Sequence, residues 1–237
     1  MTPPSRACLR SLGPALLLAT TVALGGCGSD GPTAGPTHAT PSASKTAGST
    51  PTDATSPTAA VQVIKVSKYG ISFELPKGWL TLDAKKALSG SGNNPFLKEL
   101  ADRLGTTPQQ LVQSFSTAVQ TMSVSDQGAQ HGFLENVNTV GQDAVLDDEA
   151  IKLQLATIGA KPGPFRHASS PAGDVTRVAY ELPTKTGITV RAEMVAVAVD
   201  GATVFITVSS SSAPSAAKLA DQVQASLKSI ARNDPAA

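Results

Sequence analysis

The chain of 237 residues has little of several things, and each shortage excludes something. It has two cysteines, Cys8 and Cys27, both before residue 30. They permit neither a disulfide framework nor a cysteine-based zinc site in the remainder. Charged residues make up 16%, well below the usual ~25%. The formal net charge is +1. A nucleic-acid binder normally carries a strong basic stripe, so no nucleic-acid partner is expected. Aromatic residues are 4%. No Walker loop, dinucleotide fingerprint or glycosidase-type pair of neighbouring carboxylates is present. A secreted enzyme without any such motif is the less favoured reading. The chain is therefore read as non-enzymatic, with no cofactor.

What is there begins with a targeting segment. Arg6 and Arg10 form a short positive region, and an apolar stretch runs from Leu12 to Leu24. That stretch is too short for a membrane span of about 20 residues. It suits the hydrophobic region of a secretory signal. The two arginines are not adjacent, so the twin-arginine route is not indicated. The stretch ends in Leu24-Gly25-Gly26-Cys27, which resembles a bacterial lipobox. In proteins with that motif the cysteine is lipidated and becomes the mature N-terminus. The competing reading is an ordinary secretory signal with a chance cysteine. The order and spacing of the three parts favour a signal peptide over residues 1–26 and lipidation of Cys27. Several acyl chains on one cysteine make a stable anchor.

Residues 28–60 read as a linker. Of these 33 residues, all but Asp30, His38, Lys45 and Asp53 are Gly, Ser, Thr, Pro or Ala. No apolar periodicity offsets the entropy of ordering them. As a flexible coil the segment spans roughly 30–35 Å, and fully extended about 110 Å. It would lift a domain off a membrane. A flexible end is expected again over residues 233–237.

Residues 61–232 read as one globular domain. Val61–Val66 and Ile71–Leu75 are expected strands, the second with half-buried alternation. Tyr69-Gly70 turns between them. A short helix is expected over Leu82–Leu88. Asn94-Pro95 starts another, with Leu97, Leu100, Ala101 and Leu104 on one face. Thr107-Pro108-Gln109-Gln110 is a capping-box pattern. Behind it Leu111, Phe115, Val119 and Met122 continue at helical spacing. Phe133–Val140 reads as a strand with Asn136 and Asn138 on its polar side. Asp147-Asp148-Glu149 opens a helix carrying Ile151, Leu155 and Ile158. Strands follow over Asp174–Leu182 and Thr189–Val199, and Asp200-Gly201 is a hairpin signal leading to Thr203–Val208. These last strands are apolar at nearly every position, as in a sheet covered on both faces. A helix over about Ser215–Ala231 closes the domain. The order predicts an α+β domain, an antiparallel sheet with helices against both faces.

Five segments carry a family resemblance: Tyr69–Trp79, Gly132–Val140, Gly173–Leu182, Val199–Ser210 and the terminal Ala225–Ile230. Their order and spacing resemble PsbP-like domains. With the lipobox, the whole is similar to actinobacterial lipoproteins of the LpqN type. The stretch Leu82–Met122 departs from the pattern as a long helical insert. The resemblance implies an α/β/α sandwich, a cell-envelope location and non-enzymatic binding. It supplies no catalytic residues.

Candidate chemistry is sparse. His131 and His167 lack metal-ligand spacing. Asp147, Asp148 and Glu149 lack the spacing of a calcium loop and suit the positive end of a helix dipole. Gly90-Ser91-Gly92 lacks the spacing of a nucleophile elbow. Ser209–Ser212 is a strand exit. Trp79 reads as core packing, with ligand stacking as the alternative. Arg166, Arg177 and Arg191 read as solvated strand-face charges, with convergence on an anionic partner as the alternative. Trp79, Arg177 and Arg191 are accordingly the speculative ligand or partner contacts. The expected role is a membrane-anchored extracytoplasmic binding or scaffold module. Its partner would be an envelope protein or a lipid. The alternatives are a carrier of a small apolar or lipid ligand, and a cryptic envelope hydrolase.

Overall fold

The computed structural model describes residues 60–84, 95–103, 107–114, 119–128, 130, 133–184 and 187–232. Cys27, the linker, Gly90-Ser91-Gly92 and His131 lie outside the described residues. Strands β1 (Val61–Val66), β2 (Ile71–Pro76) and β3 (Leu80–Asp83) come first. Helices α1 (Pro95–Arg103) and α2 (Pro108–Ser114) follow. Next come β4 (Val119–Val124), β5 (Asn136–Gln142) and α3 (Asp148–Thr157). The rest is a meander of β6 (Lys161–Ser170), β7 (Gly173–Pro183), β8 (Thr189–Val199) and β9 (Ala202–Ser210). It ends in α4 (Ala213–Ser226) and β10 (Lys228–Ser229).

The strands form two antiparallel sheets, one ordered β1-β2-β10 and one β3-β4-β5-β9-β8-β7-β6. In the larger sheet the central β9 is buried at every position. Alternation explains how: Val204, Ile206 and Val208 enter one core, while Phe205 enters the other. The expectation of one sheet between helical layers is corrected here. The hairpin β1–β2 leaves the main sheet, because its inward row of Ile64, Val66, Ile71, Phe73 and Leu75 is itself an apolar face. That face packs with α4 (Ala216, Ala220, Val223) onto the main sheet's Val137, Val195, Val197 and Ile206. The opposite core holds Leu97 and Ala101 of α1, Ile151 and Leu155 of α3, and the sheet residues Met122, Val178, Met194 and Phe205.

Several local signals form as read. Thr107 and Gln110 cap α2 reciprocally, each backbone N–H donating to the other's side chain (3.1 and 3.2 Å). Asp147 caps α3, accepting from the Ala150 N–H at 2.9 Å. Asp200 and Gly201 have φ of 46° and 80° and close a two-residue hairpin between Val199 and Ala202.

Five readings are corrected. Leu82 belongs to strand β3, not to a helix starting there. Val119 and Met122 lie on β4, so the helical run from Leu111 does not extend through them. Pairing with β3 and β5 decides this, and a Thr121–Thr139 hydroxyl bond (2.8 Å) is buried in the ladder. Residues 161–170, not read as a strand, form β6. It tolerates Pro162 and Pro164 because it is an edge strand with a bulge between Pro162 and Phe165. The terminal helix stops at Ser226; Lys228 and Ser229 then pair with β2, and the Ile230 N–H donates to Gly70 O (2.8 Å). The strand expected from Phe133 begins at Asn136. Among the described residues no helix is long and apolar enough to cross a membrane.

The two sheets are locked together at Tyr69. Its ring lies where a Cβ on Gly141 of β5 would come within 2.0 Å of it. Its hydroxyl donates to Asp143 Oδ1 (3.1 Å) and accepts from Lys68 Nζ (2.9 Å). Lys68 also bonds Asp143 (3.2 Å). The Lys68 ammonium holds the Asp143 carboxyl below its ordinary value, helped by Tyr69. Burial pushes the Tyr69 phenol up, partly countered by Lys68.

Candidate functional site

A cleft lies at the end of the main sheet where α3 begins. It encloses about 520 Å³ and opens to solvent. Its concavity comes from small residues on adjacent strands. Ala196 and Ala198 of β8 and Thr203 of β9 stand beside Leu146 and Ile151. Elsewhere on the same strands Met194 and Phe205 fill the corresponding core.

Polar groups converge at its rim. His167 on β6 and Thr176 on β7 are register partners, so their side chains share a face. Thr176 Oγ1 and His167 Nδ1 are 3.2 Å apart. His167 Nε2 lies 3.2 Å from Asp148 Oδ2 in the first turn of α3. Asp148 suits that place because a helix N-terminus favours a carboxylate. The result is a hydroxyl–imidazole–carboxylate line. Ser169 and Asp174 sit next to it, 3.5 Å apart. The His167 side chain is 69% exposed, so water competes for each of its bonds. This line can offer a polar ligand an imidazole, a carboxylate and a hydroxyl in one plane of approach. Proton transfer from the hydroxyl would need the imidazole neutral. The sequence discounts His167 as a metal ligand and leaves its convergence with a hydroxyl and a carboxylate, the mark of a hydrolase, for the fold to decide. Its signal was the pairing of β6 with β7, which the prolines of β6 hid.

The speculative contact residues take other places. Trp79 is buried in the core beneath the small sheet, and its carbonyl accepts from Gln62 Nε2 (2.8 Å). Arg191 on β8 lies half-exposed beside Glu181 (3.5 Å). Arg177 is not a solvated strand-face charge, which corrects the favoured reading. It is buried and bonds Glu193 through Nη2, with Asp221 (2.5 Å) and Gln224 (3.0 Å) on Nη1. Arg166 reaches the same Glu193 oxygen at 2.5 Å. Two arginines and two carboxylates therefore strap α4 to β6, β7 and β8. The charges balance within the molecule, leaving no net positive site there. Arg177 Nε is buried without a partner.

The remaining candidates are structural. Asp147 is spent on the α3 cap, and Glu149 pairs with Lys152 (3.5 Å). Ser210 donates to Glu135 (2.5 Å) and accepts from the Ser212 N–H. Burial holds the Tyr180 phenol above its ordinary value of 10.0, so it stays neutral. Among the described residues no group of three or more His, Cys, Asp or Glu is placed to hold a metal.

No family model matches the chain, and no curated protein sequence matches it. One solved structure it resembles is the solution structure of cyanobacterial PsbP (CyanoP) from Synechocystis sp. PCC 6803. The likeness has a TM-score of 0.46 at 13% identity, covering 72% of this chain and 93% of that one. It concerns the course of the backbone, and no residue role is carried across it.

Proposed function

We propose that this chain is a membrane-tethered extracytoplasmic lipoprotein of the LpqN type, whose PsbP-like domain binds a partner without catalysis. Tethering is supported by the sequence Leu24-Gly25-Gly26-Cys27 and by the low-complexity stretch that ends where β1 begins. The lipid on Cys27 would confine the domain to a thin layer, raising its effective concentration toward partners there.

One observation carries the binding role: the solvent-open cleft beside α3, floored by alanines and rimmed by His167, Thr176 and Asp174. Its width and polar rim suit a polar segment of a partner protein more than an apolar ligand, which is usually enclosed on most of its surface. Native mass spectrometry of the full chain, extracted from its own membranes in mild detergent, tests this. The expected result is the lipidated chain, single or paired with itself, with no further mass. A further mass lost on denaturation would instead indicate the carrier reading. Replacing Cys27 by Ala tests the anchor separately: unchanged processing and membrane retention would overturn it.

A hydrolase is the second reading, favoured by the Thr176–His167–Asp148 line alone. Exposure of the imidazole weakens it, since preorganised charge stabilisation works best where water is excluded. Hydrolysis of p-nitrophenyl acetate that His167→Ala and Thr176→Ala both abolish would establish this reading over the first.

A further inference from the structure

The end strand of a sheet exposes a row of unpaired N–H and C=O groups, and proteins normally blunt it. Among the described residues there are four such ends, and three are blunted by shortness, proline or a bulge. β3 has four residues and β10 two. β6 carries two prolines and a bulge. β1 has none of these three, and its one charged residue is Lys65. It is six residues long, free of proline, and in unbroken register with β2 from Val61↔Pro76 to Val66↔Ile71.

Hydrogen bonding fixes which groups of β1 point outward. Ala60 O accepts from the Lys77 N–H (2.9 Å). Antiparallel pairs alternate, so Gln62, Ile64 and Val66 also turn toward β2. β2 agrees from its own side: Glu74, opposite Val63, turns its N–H away to Ser226 Oγ (2.9 Å). Pro76, opposite Val61, has no N–H to give. The N–H and C=O groups of Val61, Val63 and Lys65 therefore lie along the free edge. Their side chains are outside as well, with Val61 42% and Val63 49% exposed. Space for a strand lies alongside, in a cleft of about 350 Å³ lined by Val63, Lys65, Trp79, Thr81 and Asp83 among others.

We infer that this edge pairs with the β1 edge of a second copy of the chain, joining the two small sheets across a two-fold axis. The edge is complementary to itself. An antiparallel register centred on Val63 sets Val63 opposite the second copy's Val63 and Val61 opposite its Lys65. All three outward residues are then paired in one isologous contact. No like charges face each other, and the methylenes of Lys65 lie along Val61. A six-residue ribbon buries less than the roughly 1,000 Å² of a self-sufficient interface, so the association is weak and reversible. The inference does not depend on the tethering proposal; if copies share a membrane, confinement would strengthen the pairing.

Sedimentation equilibrium of the full chain in mild detergent tests it, with Cys27→Ala included so that no acyl group contributes. A concentration-dependent dimer is expected. Val63→Lys and Val63→Glu each set like charges at the two-fold axis and should weaken it at least about ten-fold. An equimolar mixture of the two should restore association, because only a register that opposes residue 63 to itself pairs them. Val63→Thr, a good strand former, should keep the dimer and serves as the folding control. A chain that stays monomeric up to its solubility limit would overturn the inference. So would a dimer indifferent to both charges, or a mixture that fails to reassociate.

Discussion

The two faces of the seven-stranded sheet are covered in different ways. On one, the hairpin β1–β2 and helix α4 lie flat over valines and isoleucines, and a buried ion network straps the helix down. On the other, α1 lies against β3 and α3 against β6, and the sheet end beside α3 is left to alanines and threonines. The closed face spends its polar residues on itself: Arg177, Glu193, Asp221 and Tyr69 all have internal partners. The open end presents its polar residues to water, with His167, Asp174 and Thr176 at the rim. Stability and recognition are thus divided between the two faces. A residue on the first can be changed only at a structural cost, whereas one at the rim of the second can be changed nearly freely.

The largest break in that comparison should come from Arg177. Arg177→Ala leaves Glu193 buried with only the half-exposed Arg166 for a partner. The loss is expected to be about 3 kcal/mol, at the low end for breaking a buried pair, read by urea denaturation. Arg177→Met combined with Glu193→Leu should recover much of it, since removing both charges removes the desolvation cost. If the single change cost less than the usual surface value, α4 would not depend on the strap.

Gly141→Ala tests the other fastening of the closed face. A methyl there would collide with the Tyr69 ring. Overpacking of this kind costs about 1–3 kcal/mol, and thermal denaturation should show it. Gly141→Ala combined with Tyr69→Leu should be milder than the sum of the two.

A smaller effect is expected from pH. Asp143 has its carboxyl lowered from 3.8 by the Lys68 hydrogen bond and then by Tyr69. A group lowered on folding stabilises above its unfolded value, and that contribution disappears as pH falls through the folded value. The acid limb of stability below about pH 4 should therefore flatten in Asp143→Asn. Asp143 is largely exposed, so solvent screening keeps the change under about 1 kcal/mol. Comparing urea midpoints of the two proteins at pH 3 and pH 6 would detect it.

His167→Ala should have the least effect on stability, within about 0.5 kcal/mol as for an ordinary surface change. Its midpoint should match that of the parent chain while binding at the cleft falls. A large loss of stability would place His167 with the structural residues and erase the contrast between the faces.

Legibility in the sequence followed the range of the forces involved. The Asp200-Gly201 hairpin, the Thr107–Gln110 capping box and the Asp147 cap are set by residues within three positions of one another, and all three form. β8 and β9 were legible because their nearly unbroken apolar runs meet a core on each face. β4 misled because Leu111, Phe115, Val119 and Met122 fit a helical period by spacing alone. Its strand state comes from ladders with β3 and β5. β6 was hidden by prolines that an edge strand accepts. Of the site, His167 and Asp148 were noticed, Thr176 was not, and the sequence did not place them together. His167 gains Asp148 and Thr176 only when α3 docks beside the β6–β7 hairpin.

The sequence by itself determined what needs only neighbours along the chain: the turns, the caps and the strand-rich C-terminal meander. Tertiary structure decided the rest. It moved β1 and β2 into a sheet of their own, turned Arg177 from a surface charge into a buried strap, and left β1 with no second partner strand among the described residues. The reason is that ladder pairing and ion pairing act through space. Arg177 meets Asp221 across 44 positions of sequence, and no periodicity in either segment records where the other will lie.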